Sequence, residues 1–359
     1  MADGPLPVPT GQTLTGAQAR RWTLVLDHLV GALPAGAPSV LVDGAQPHAA
    51  TVADRLAEAL RSIGRPCTRL SDRAPLADED NWHAARTPDT VALADGARWR
   101  AHPPGGDWDV VIWLRTRPGG GGRDDGADIV IDLHHPAWPV LRHVADRLAP
   151  PDQWYVSESQ AFFAVRAATW DTRFGDDLPA YASAVAAANL PAGGVVVDVG
   201  CGTGRALPAL RDAVGPDGTV LGLDLTPEML DAAHGHAARA AATLLLGNVR
   251  QLPLADSAVD AVFAAGLLSH LPDAEEALRE LARITRPGGR LVLFHPAGRA
   301  ALAARHGRAL RPDEPLSEAP LRHSTARTGW RLTGYDDAAH RFLALATRYG
   351  PDTAPPPLD

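Results

Sequence analysis

The stretch VVVDVGCGTGRALPAL, residues 195–210, decides how the second half of this 359-residue chain is interpreted. An apolar run ends in three closely spaced glycines, and a helix-like sequence follows. This order is typical of a buried strand, a tight turn and the N-terminus of a helix. In parallel α/β sheets, such a turn commonly receives an anionic or nucleotide ligand. The stretch therefore predicts a ligand-binding turn.

The sequence around this turn alternates regularly between strand and helix patterns. We predict strands at 195–199, 219–223, 259–264 and 290–295, and helices at 205–213, 227–240 and 274–285. The last two apolar patterns, GWRLTGYDD and RFLALATRYG, predict an antiparallel pair at the sheet edge. Such alternation indicates an α/β fold with a parallel sheet, right-handed crossovers and helices on both faces.

The first half of the chain shows a weaker pattern of the same kind. From Thr15, the apolar residues Trp22, Val25, Leu26, Leu29 and Val30 fall at helical spacing. Strands are predicted at 38–43, 107–114 and 127–133, a helix at 50–64 and a flexible loop at 117–126. A composition shift at 149–153 predicts a domain boundary. The expected organisation is a flexible tail at 1–14, domains at 15–150 and 151–349, and a disordered tail at 350–359.

Charge and composition exclude several classes of protein. A formal net charge of −8 and a pI near 5.9 argue against a general nucleic-acid binder. The chain start has neither the basic nor the apolar region of a signal peptide, and no window is apolar enough to span a membrane. Two cysteines, Cys67 and Cys201, provide neither a disulfide framework nor a zinc cluster. A cytoplasmic protein is expected.

The chain contains no lysine, so all 34 basic side chains are arginines. This composition excludes a Schiff-base lysine and a phosphate-binding P-loop lysine.

Two nucleotide ligands compete for the glycine turn. The dinucleotide fingerprint G-x-G-x-x-G would make the protein an NAD-linked oxidoreductase. Gly200 and Gly202 fit this fingerprint, but Arg205 stands at its third position, and the glycines instead continue through Gly204. An acid at the end of the next strand, Asp224, does not discriminate, because dinucleotide enzymes place one similarly.

Three features together resemble the class I S-adenosylmethionine (SAM)-dependent methyltransferases: D-x-G-x-G-x-G from Asp198, the acid at Asp224, and RPGG before an apolar strand. The nearest group is the small-molecule type that includes the ubiquinone and menaquinone biosynthetic enzymes. The resemblance covers residues 159–349. It implies a Rossmann-like, seven-stranded sheet with an antiparallel final strand, SAM as cofactor and a small-molecule methyl acceptor.

The resemblance also implies the residues of the cofactor site. It assigns Gly200, Cys201, Gly202 and Gly204 to the backbone turn, Asp198 to the amino group or to support of the turn, Asp224 to the ribose, Leu225, Asn248 and Val249 to the adenine, Ala265 and Gly266 to the methionine end, and Trp170 and Arg173 to a helical flap. The family often carries aspartate where Asn248 stands, and an amide can both donate and accept.

The resemblance places His270 near the acceptor as a candidate catalytic residue, and His295 faces the same cleft. Each has a simpler alternative: His270 as a surface or capping residue, and Trp170 as core packing. Asp273 is predicted to be an N-cap, with Glu276 completing a capping box. A protein that binds SAM without catalysis, as a sensor or scaffold, remains an alternative to the enzyme.

The stretch VLVDGAQPHAATVADRLAEAL, residues 40–60, has the layout of a P-loop. Gly44 and Thr51 match its template, but Ala49 and Ala50 replace the second glycine and the lysine. Residues 36–148 resemble uridine-kinase-like domains in degenerate form. Phosphoryl transfer is not expected without the lysine. The domain is predicted to be a scaffold or homodimer interface, with a contribution to acceptor binding as the alternative.

His134 and His135 would point to opposite faces of a strand, so no metal site is predicted there.

Overall fold

The computed structural model describes residues 14–75, 77–104, 106–116, 126–174, 176–305 and 309–350. The chain divides into two compact units, Met1–Glu158 and Ser159–Asp359. The predicted tails and the predicted loop at 117–126 lie almost entirely outside the described residues. Leu14, the last residue of the first predicted tail, is 7% exposed and therefore belongs to the folded part.

The division between the units lies inside helix α5, Tyr155–Ala167, a few residues after the predicted boundary at 149–153. Glu158 stands in the first turn of this helix and is fully buried. Its carboxylate accepts hydrogen bonds from the side chain of Arg21 and, at 2.7 Å, from the backbone N–H of Leu141. A buried charge needs such partners. They tie the first turn of α5 to the first unit.

The first unit is an α/β sheet of six strands. The strands are β1 Ser39–Gly44, β2 Cys67–Leu70, β3 Val91–Asp95, β4 Val110–Arg115, β5 Ile129–Asp132 and β6 Val140–Val144, in the order β2-β3-β1-β4-β5-β6. Neighbouring strands are parallel except β5 and β6. The helices are α1 Gly16–Ala32, α2 His48–Ser62, α3 Ala77–Ala84 and α4 Ala97–Ala101. The predicted α1, β1, α2, β4 and β5 are confirmed; the other five elements were not predicted.

Helix α1 begins where the sequence supplies a capping box. The backbone N–H of Thr15 donates to the Gln18 side chain at 2.9 Å, and the Thr15 hydroxyl accepts from the Gln18 backbone N–H at 3.3 Å. These bonds satisfy donors that a helix start leaves open. The apolar face that follows is buried, as its spacing predicted: Trp22, Val25, Leu26 and Leu29.

The second unit has a seven-stranded sheet. Its strands are β7 Val195–Val199, β8 Thr219–Asp224, β9 Thr243–Leu246, β10 Val259–Ala265, β11 Thr285–His295, β12 Trp330–Ala338 and β13 Arg341–Arg348, in the order β12-β13-β11-β10-β7-β8-β9. Strand β13 is antiparallel to both its neighbours, and the remaining pairs are parallel. The helices after α5 are α6 Trp170–Phe174, α7 Leu178–Ala188, α8 Leu207–Val214, α9 Pro227–Ala240, α10 Ala274–Ile284, α11 Arg299–Arg305 and α12 Glu318–Arg327.

Helices cover both faces of this sheet. One buried cluster joins α7, α8 and α9 to the strands and contains Phe263 and Phe294. The other joins α10 and α12 and contains Leu281 and Trp330. Strand β7 lies between β8 and β10, so the strand order reverses there. The carboxyl ends of these three strands form the edge where α/β sheets bind ligands.

Helix α8 starts at Leu207, two positions later than the predicted 205. Gly204 has a left-handed backbone with φ of 81°, which a right-handed helix does not accommodate. Pro208 then stands in the first turn, where its missing N–H costs nothing. The glycine turn is therefore longer than the sequence pattern indicated.

Among the described residues, no helix is both long enough and apolar enough to cross a bilayer.

Candidate functional site

The three glycines after β7 build a left-handed turn. Gly200, Gly202 and Gly204 have φ values of 71°, 54° and 81°, which side-chain-bearing residues rarely adopt. Cβ atoms at Gly200 and Gly204 would also lie 2.9 Å from Leu267 and Leu207, respectively. At Gly202, no atom of the described chain lies within 4 Å of an added Cβ. The turn therefore leaves open space directly against the backbone of Gly202.

The turn is fastened to the adjacent strand. The backbone N–H groups of Gly200 and Cys201 both donate to the carbonyl of Leu223 in β8, at 2.7 and 3.0 Å. Cys201 is buried, and burial raises the pKa of its thiol well above the usual range. The thiol is therefore held neutral, and the predicted role of Cys201 stays a role of its backbone.

Asp224, at the end of β8, is bound to the glycine turn. One carboxylate oxygen accepts from the backbone N–H of Gly202 at 2.8 Å, and the other accepts from that of Thr226 at 2.8 Å. The residue is 8% exposed, and burial raises the pKa of its carboxyl despite these bonds. Each oxygen keeps a second lone pair, so a donor on a ligand can still be accepted.

Asp198, at the carboxyl end of β7, carries an unsatisfied oxygen. The residue is 2% exposed, and its Oδ1 has no hydrogen-bond partner among the described residues. Burial, and then the charge of Asp224, raise the pKa of Asp198 to about 8. A buried unsatisfied acceptor is costly. The site therefore suits a ligand that brings a hydrogen-bond donor or a positive charge.

The predicted adenine residues follow β8 and β9. Leu225 is half-buried, and its carbonyl accepts from the side-chain amide of Gln160 at 2.9 Å. The side-chain carbonyl of Asn248 accepts from the backbone N–H of Arg250 at 3.1 Å, so this oxygen supports its own loop. The side chain of Val249 is 5% exposed and packs into the core. The backbone of Val249, and not its side chain, is therefore available to contact an adenine base.

The predicted methionine end lies where β10 and β11 finish. Gly266 has φ of 66°, and its backbone N–H donates to the carbonyl of Phe294 at 2.8 Å. A Cβ on Gly266 would lie 3.6 Å from the His295 ring, which brings His295 beside Ala265 and Gly266. The His295 Nδ1 accepts from the backbone N–H of Ala297 at 3.0 Å, which fixes the orientation of the ring.

His270 and Trp170 meet through two phenylalanines that the sequence analysis did not identify. The ring centroids of Phe163 and His270 are 5.1 Å apart, and those of Phe163 and Trp170 are 5.8 Å apart. Phe162 lies 6.3 Å from His270. We call Phe162, Phe163, Trp170 and His270 the aromatic cluster; all four are half-buried. His270 therefore packs against aromatic rings. The adjacent aromatics in the helical stretch QAFFAV were the available signal.

Helix α6 contacts the glycine turn through Asp171, another residue that the sequence analysis missed. The hydroxyl of Thr203 donates to Asp171 Oδ1 at 2.5 Å, and Nε2 of His236 lies 3.6 Å from Oδ2. Arg205, which follows the last glycine, forms an ion pair with Asp177 before α7. The side chain of Arg173, a predicted flap residue, lies outside the described part of the structure.

Asp273 caps α10, as predicted. Its carboxylate accepts from the backbone N–H groups of Glu275 and Glu276 at 2.8 and 3.0 Å. The predicted reciprocal contact of Glu276 is wrong: its carboxylate accepts from the Arg250 guanidinium at 2.6 Å. A guanidinium is a stronger partner for a carboxylate than a backbone amide.

The P-loop-like turn of the first unit is more closed than the glycine turn after β7. Its helix already starts at His48, and Pro47 in the short turn has no N–H to offer a phosphate. The backbone N–H of Gly44 donates to the Asp43 side chain at 2.7 Å, and Ala49 is fully buried. This turn therefore does not fit a phosphate group.

His134 and His135 were predicted to lie on a strand. In the structure they follow the end of β5. Their rings pack edge to face with centroids 4.9 Å apart. The described ranges contain no cluster of three or more His, Cys, Asp or Glu side chains that could hold a metal ion.

Comparisons with known proteins concern the second unit. Residues 197–293 match the family model described as a methyltransferase domain. The demethylmenaquinone methyltransferase of Bacillus licheniformis is 38% identical over 105 residues, which cover 29% of this chain and 45% of that protein. The 27-O-demethylrifamycin SV methyltransferase of Amycolatopsis mediterranei is 35% identical over 108 residues, 29% of this chain and 39% of that protein. The chain thus spans less than half the length of these curated relatives.

A solved structure of a SAM-dependent methyltransferase from Aquifex aeolicus is also similar. It covers 52% of this chain and 98% of its own, with 23% identity and a TM-score of 0.43.

The family match and the site residues together imply S-adenosylmethionine as the cofactor. Two observations test the fit. The space over Gly202 admits a ligand against bare backbone, and the unsatisfied oxygen of Asp198 suits a positively charged one. The residues present fit this cofactor.

Proposed function

We propose that the chain is a SAM-dependent methyltransferase that acts on a small-molecule acceptor. The observation that carries the proposal is the turn after β7: open at Gly202, flanked by the buried carboxyls of Asp198 and Asp224, and inside the segment that matches a methyltransferase domain. A nucleoside with a cationic sulfonium and an ammonium group complements these carboxyls.

In this proposal, the cofactor lies along the carboxyl ends of β8, β7 and β10. Asp224 holds the ribose hydroxyls, Asp198 accepts from the amino group, and the backbone of Gly202 lies against the methionine part. Leu225, Asn248 and Val249 border the adenine, and Ala265 and Gly266 border the methyl end. The predicted flap residues Trp170 and Arg173 stay proposals, with Trp170 supported by its packing on Phe163, the ring that also contacts His270.

The bound cofactor would supply a methyl group already activated by positive sulfur. The chain then needs to align the acceptor and exclude water, and orientation alone can supply about 7–11 kcal/mol. The half-buried aromatic cluster offers an apolar surface for this purpose. A ring nitrogen of His270 could receive the acceptor's proton, a contribution of roughly 10²–10⁴-fold in rate.

The first unit supports a proposal of a non-catalytic domain with a degenerate P-loop-like turn. Pro47 and the buried Ala49 favour a scaffold or homodimer role over phosphate binding.

The test is transfer of a labelled methyl group. The purified chain, labelled SAM and a fractionated bacterial extract are incubated, and label is followed into small molecules and macromolecules. Gly202→Val, which fills the cofactor space, is the inactive control. Label in a small-molecule fraction with the wild-type chain alone supports the proposal. Binding of SAM without any transfer supports the non-catalytic alternative. Binding of NAD instead of SAM would support the alternative of an NAD-linked oxidoreductase.

A further inference from the structure

We propose that Asp171 is a positioning residue of the cofactor site: it holds helix α6 on the glycine turn through Thr203 and thereby sets how long the cofactor stays bound. The inference rests on the proposed function, because it assigns a role at that same site.

The contact joins a buried donor to a partly exposed acceptor. Thr203 stands between Gly202 and Gly204 and is 2% exposed, whereas the Asp171 side chain is 46% exposed. The hydroxyl-to-carboxylate distance is 2.5 Å, in the range of a charge-assisted hydrogen bond. The bond therefore fixes one point of α6 to the turn while the rest of the carboxylate faces solvent.

His236 of α9 lies on the other side of the same carboxylate. Its Nε2 is 3.6 Å from Asp171 Oδ2, beyond ordinary hydrogen-bond length. Burial, and then the charge of Arg239, lower the pKa of His236, which favours the neutral ring. Thr203 is consequently the main partner of Asp171.

A second contact attaches the same segment further along. Arg205 forms an ion pair with Asp177, and the Arg205 side chain is only 6% exposed. Thr203 and Arg205 flank Gly204, so Asp171 and Asp177 are each attached to the turn at a separate point. Loss of the Asp171 contact alone leaves the second attachment and the glycine backbone in place.

The position of Thr203 links this contact to the cofactor. Thr203 is adjacent to Gly202, over which the described chain leaves open space. The segment held by Thr203 is therefore attached at the residue next to that space. Trp170, next to Asp171, also packs against Phe163 of the aromatic cluster at 5.8 Å. Release of α6 would loosen the proposed flap residue Trp170, while the glycine turn and the carboxyls of Asp198 and Asp224 stay in place.

The experiment measures the dissociation rate of SAM by stopped flow in the wild type and in five variants of the full chain. Thr203→Val removes the donor with little change in shape, Asp171→Ala removes the acceptor, and Thr203→Ser keeps the hydroxyl. The fourth is the double variant Thr203→Val with Asp171→Ala. Asp176→Asn is the control, since Asp176 is an exposed carboxylate of the same segment.

We expect dissociation about fivefold to tenfold faster in Thr203→Val and Asp171→Ala, the scale of one hydrogen bond. The double variant should be no faster than either single one, because both remove the same contact. Thr203→Ser and Asp176→Asn should match the wild type. With an acceptor in hand, KM for SAM should rise while kcat stays within about twofold, since no transition-state contact is lost.

Unchanged dissociation in both single variants, or failure of Thr203→Ser to rescue, would overturn the inference and leave the proposed function intact. The inference would also be overturned if SAM dissociated from the double variant much faster than from either single variant. If the wild-type chain does not bind SAM, the proposed function fails and this inference with it. Should Thr203→Val not fold, Asp171→Ala at the exposed end of the bond measures the same contact.

Discussion

The first strand of each unit leads into a turn and a helix at the carboxyl edge of a mostly parallel sheet, yet the two turns differ in what they leave open. After β1, a Cβ on Gly44 would collide with Leu114 at 2.8 Å, and the Asp43 carboxylate is already engaged by the Gly44 N–H and by Arg100 at 3.2 Å. After β7, Gly202 faces open space and Asp198 keeps an unsatisfied oxygen.

The difference shows that sheet topology alone does not make a ligand site. Both sheets bring strand ends together where the strand order reverses. In the first unit the local side chains satisfy one another, and in the second they leave a buried acceptor and a bare backbone. A variant at one turn can therefore be compared with a matched control variant elsewhere in the chain.

Filling the open turn should have the largest effect. Gly202→Val places a side chain in the cofactor space, and an overpacking cost near 3 kcal/mol corresponds to a loss of about 150-fold in SAM affinity. Gly193→Val is the control, because Gly193 also has a left-handed backbone, φ of 74°, with no described atom near its added Cβ. Both variants should lose similar stability, about 1–2 kcal/mol. Calorimetry in which both bind SAM equally well would contradict a site at Gly202.

The second-largest effect is expected from removal of an acid at a strand end, and it should differ between the two units. Asp224→Ala should weaken SAM binding by about 1.5–3 kcal/mol, the scale of hydrogen bonds to a charged group. Asp43→Ala should reduce the stability of the first unit and leave SAM affinity unchanged. Isothermal titration calorimetry measures both, and equal losses of affinity would remove Asp224 from its assigned role.

The raised pKa of Asp198 predicts a pH dependence. Burial and the charge of Asp224 raise this pKa to about 8, so the carboxyl is mostly neutral at pH 7 in the free protein. A positively charged cofactor favours the ionised form, so SAM affinity should rise about tenfold from pH 6 to pH 7, below the range in which the α-amino group of SAM itself loses its charge. Asp198→Asn should abolish the rise. A dependence that persists in this variant would assign the titration to another group.

The raised pKa of Asp198 has the opposite effect on folding: it makes the stability of the free protein fall as pH rises. Because the folded-state pKa lies above the unfolded value, Asp198 contributes its full stability below about pH 4, and that contribution is lost as pH rises through about 8. Asp198→Asn should therefore flatten the decline in melting temperature of the free protein between pH 6 and pH 9.

The smallest effect is expected from a nucleoside triphosphate. Mg-ATP should not change the melting temperature, since the turn at 45–47 offers no phosphate cradle. SAM at about 100 Kd should add roughly 2.7 kcal/mol to the stability of the second unit. Stabilisation by Mg-ATP would restore the P-loop interpretation of the first unit.

Much of the second unit could be predicted from the sequence, because its strands are apolar runs that end at glycines or acids. Strand β7 matches its predicted bounds, and α9 does so as well. The strands β2 and β9, of four residues each, were missed. Strand β5 is as short, but it was predicted within the longer run 127–133. In the first unit, β3 is fully buried and carries no alternation, so it too was missed.

The site could be predicted only as far as local motifs reach. The glycines and both carboxylates lie within short patterns, and the structure brings them together at one edge. The contacts of Asp171 with Thr203 and of Phe163 with His270 join distant parts of the chain. Such pairs leave no periodic trace, and the guanidinium of Arg250 likewise displaced the expected partner of Glu276.

The turn after β7 alternates two kinds of position, which constrains how it can evolve or be engineered. Gly200, Gly202 and Gly204 provide backbone freedom, while Thr203 and Arg205 between and after them anchor neighbouring helices. Inserting or deleting one residue would exchange these roles along the whole loop, a far more severe change than any single replacement. Its residue count is therefore the quantity to preserve, and libraries that alter nucleoside preference should vary identity at fixed length.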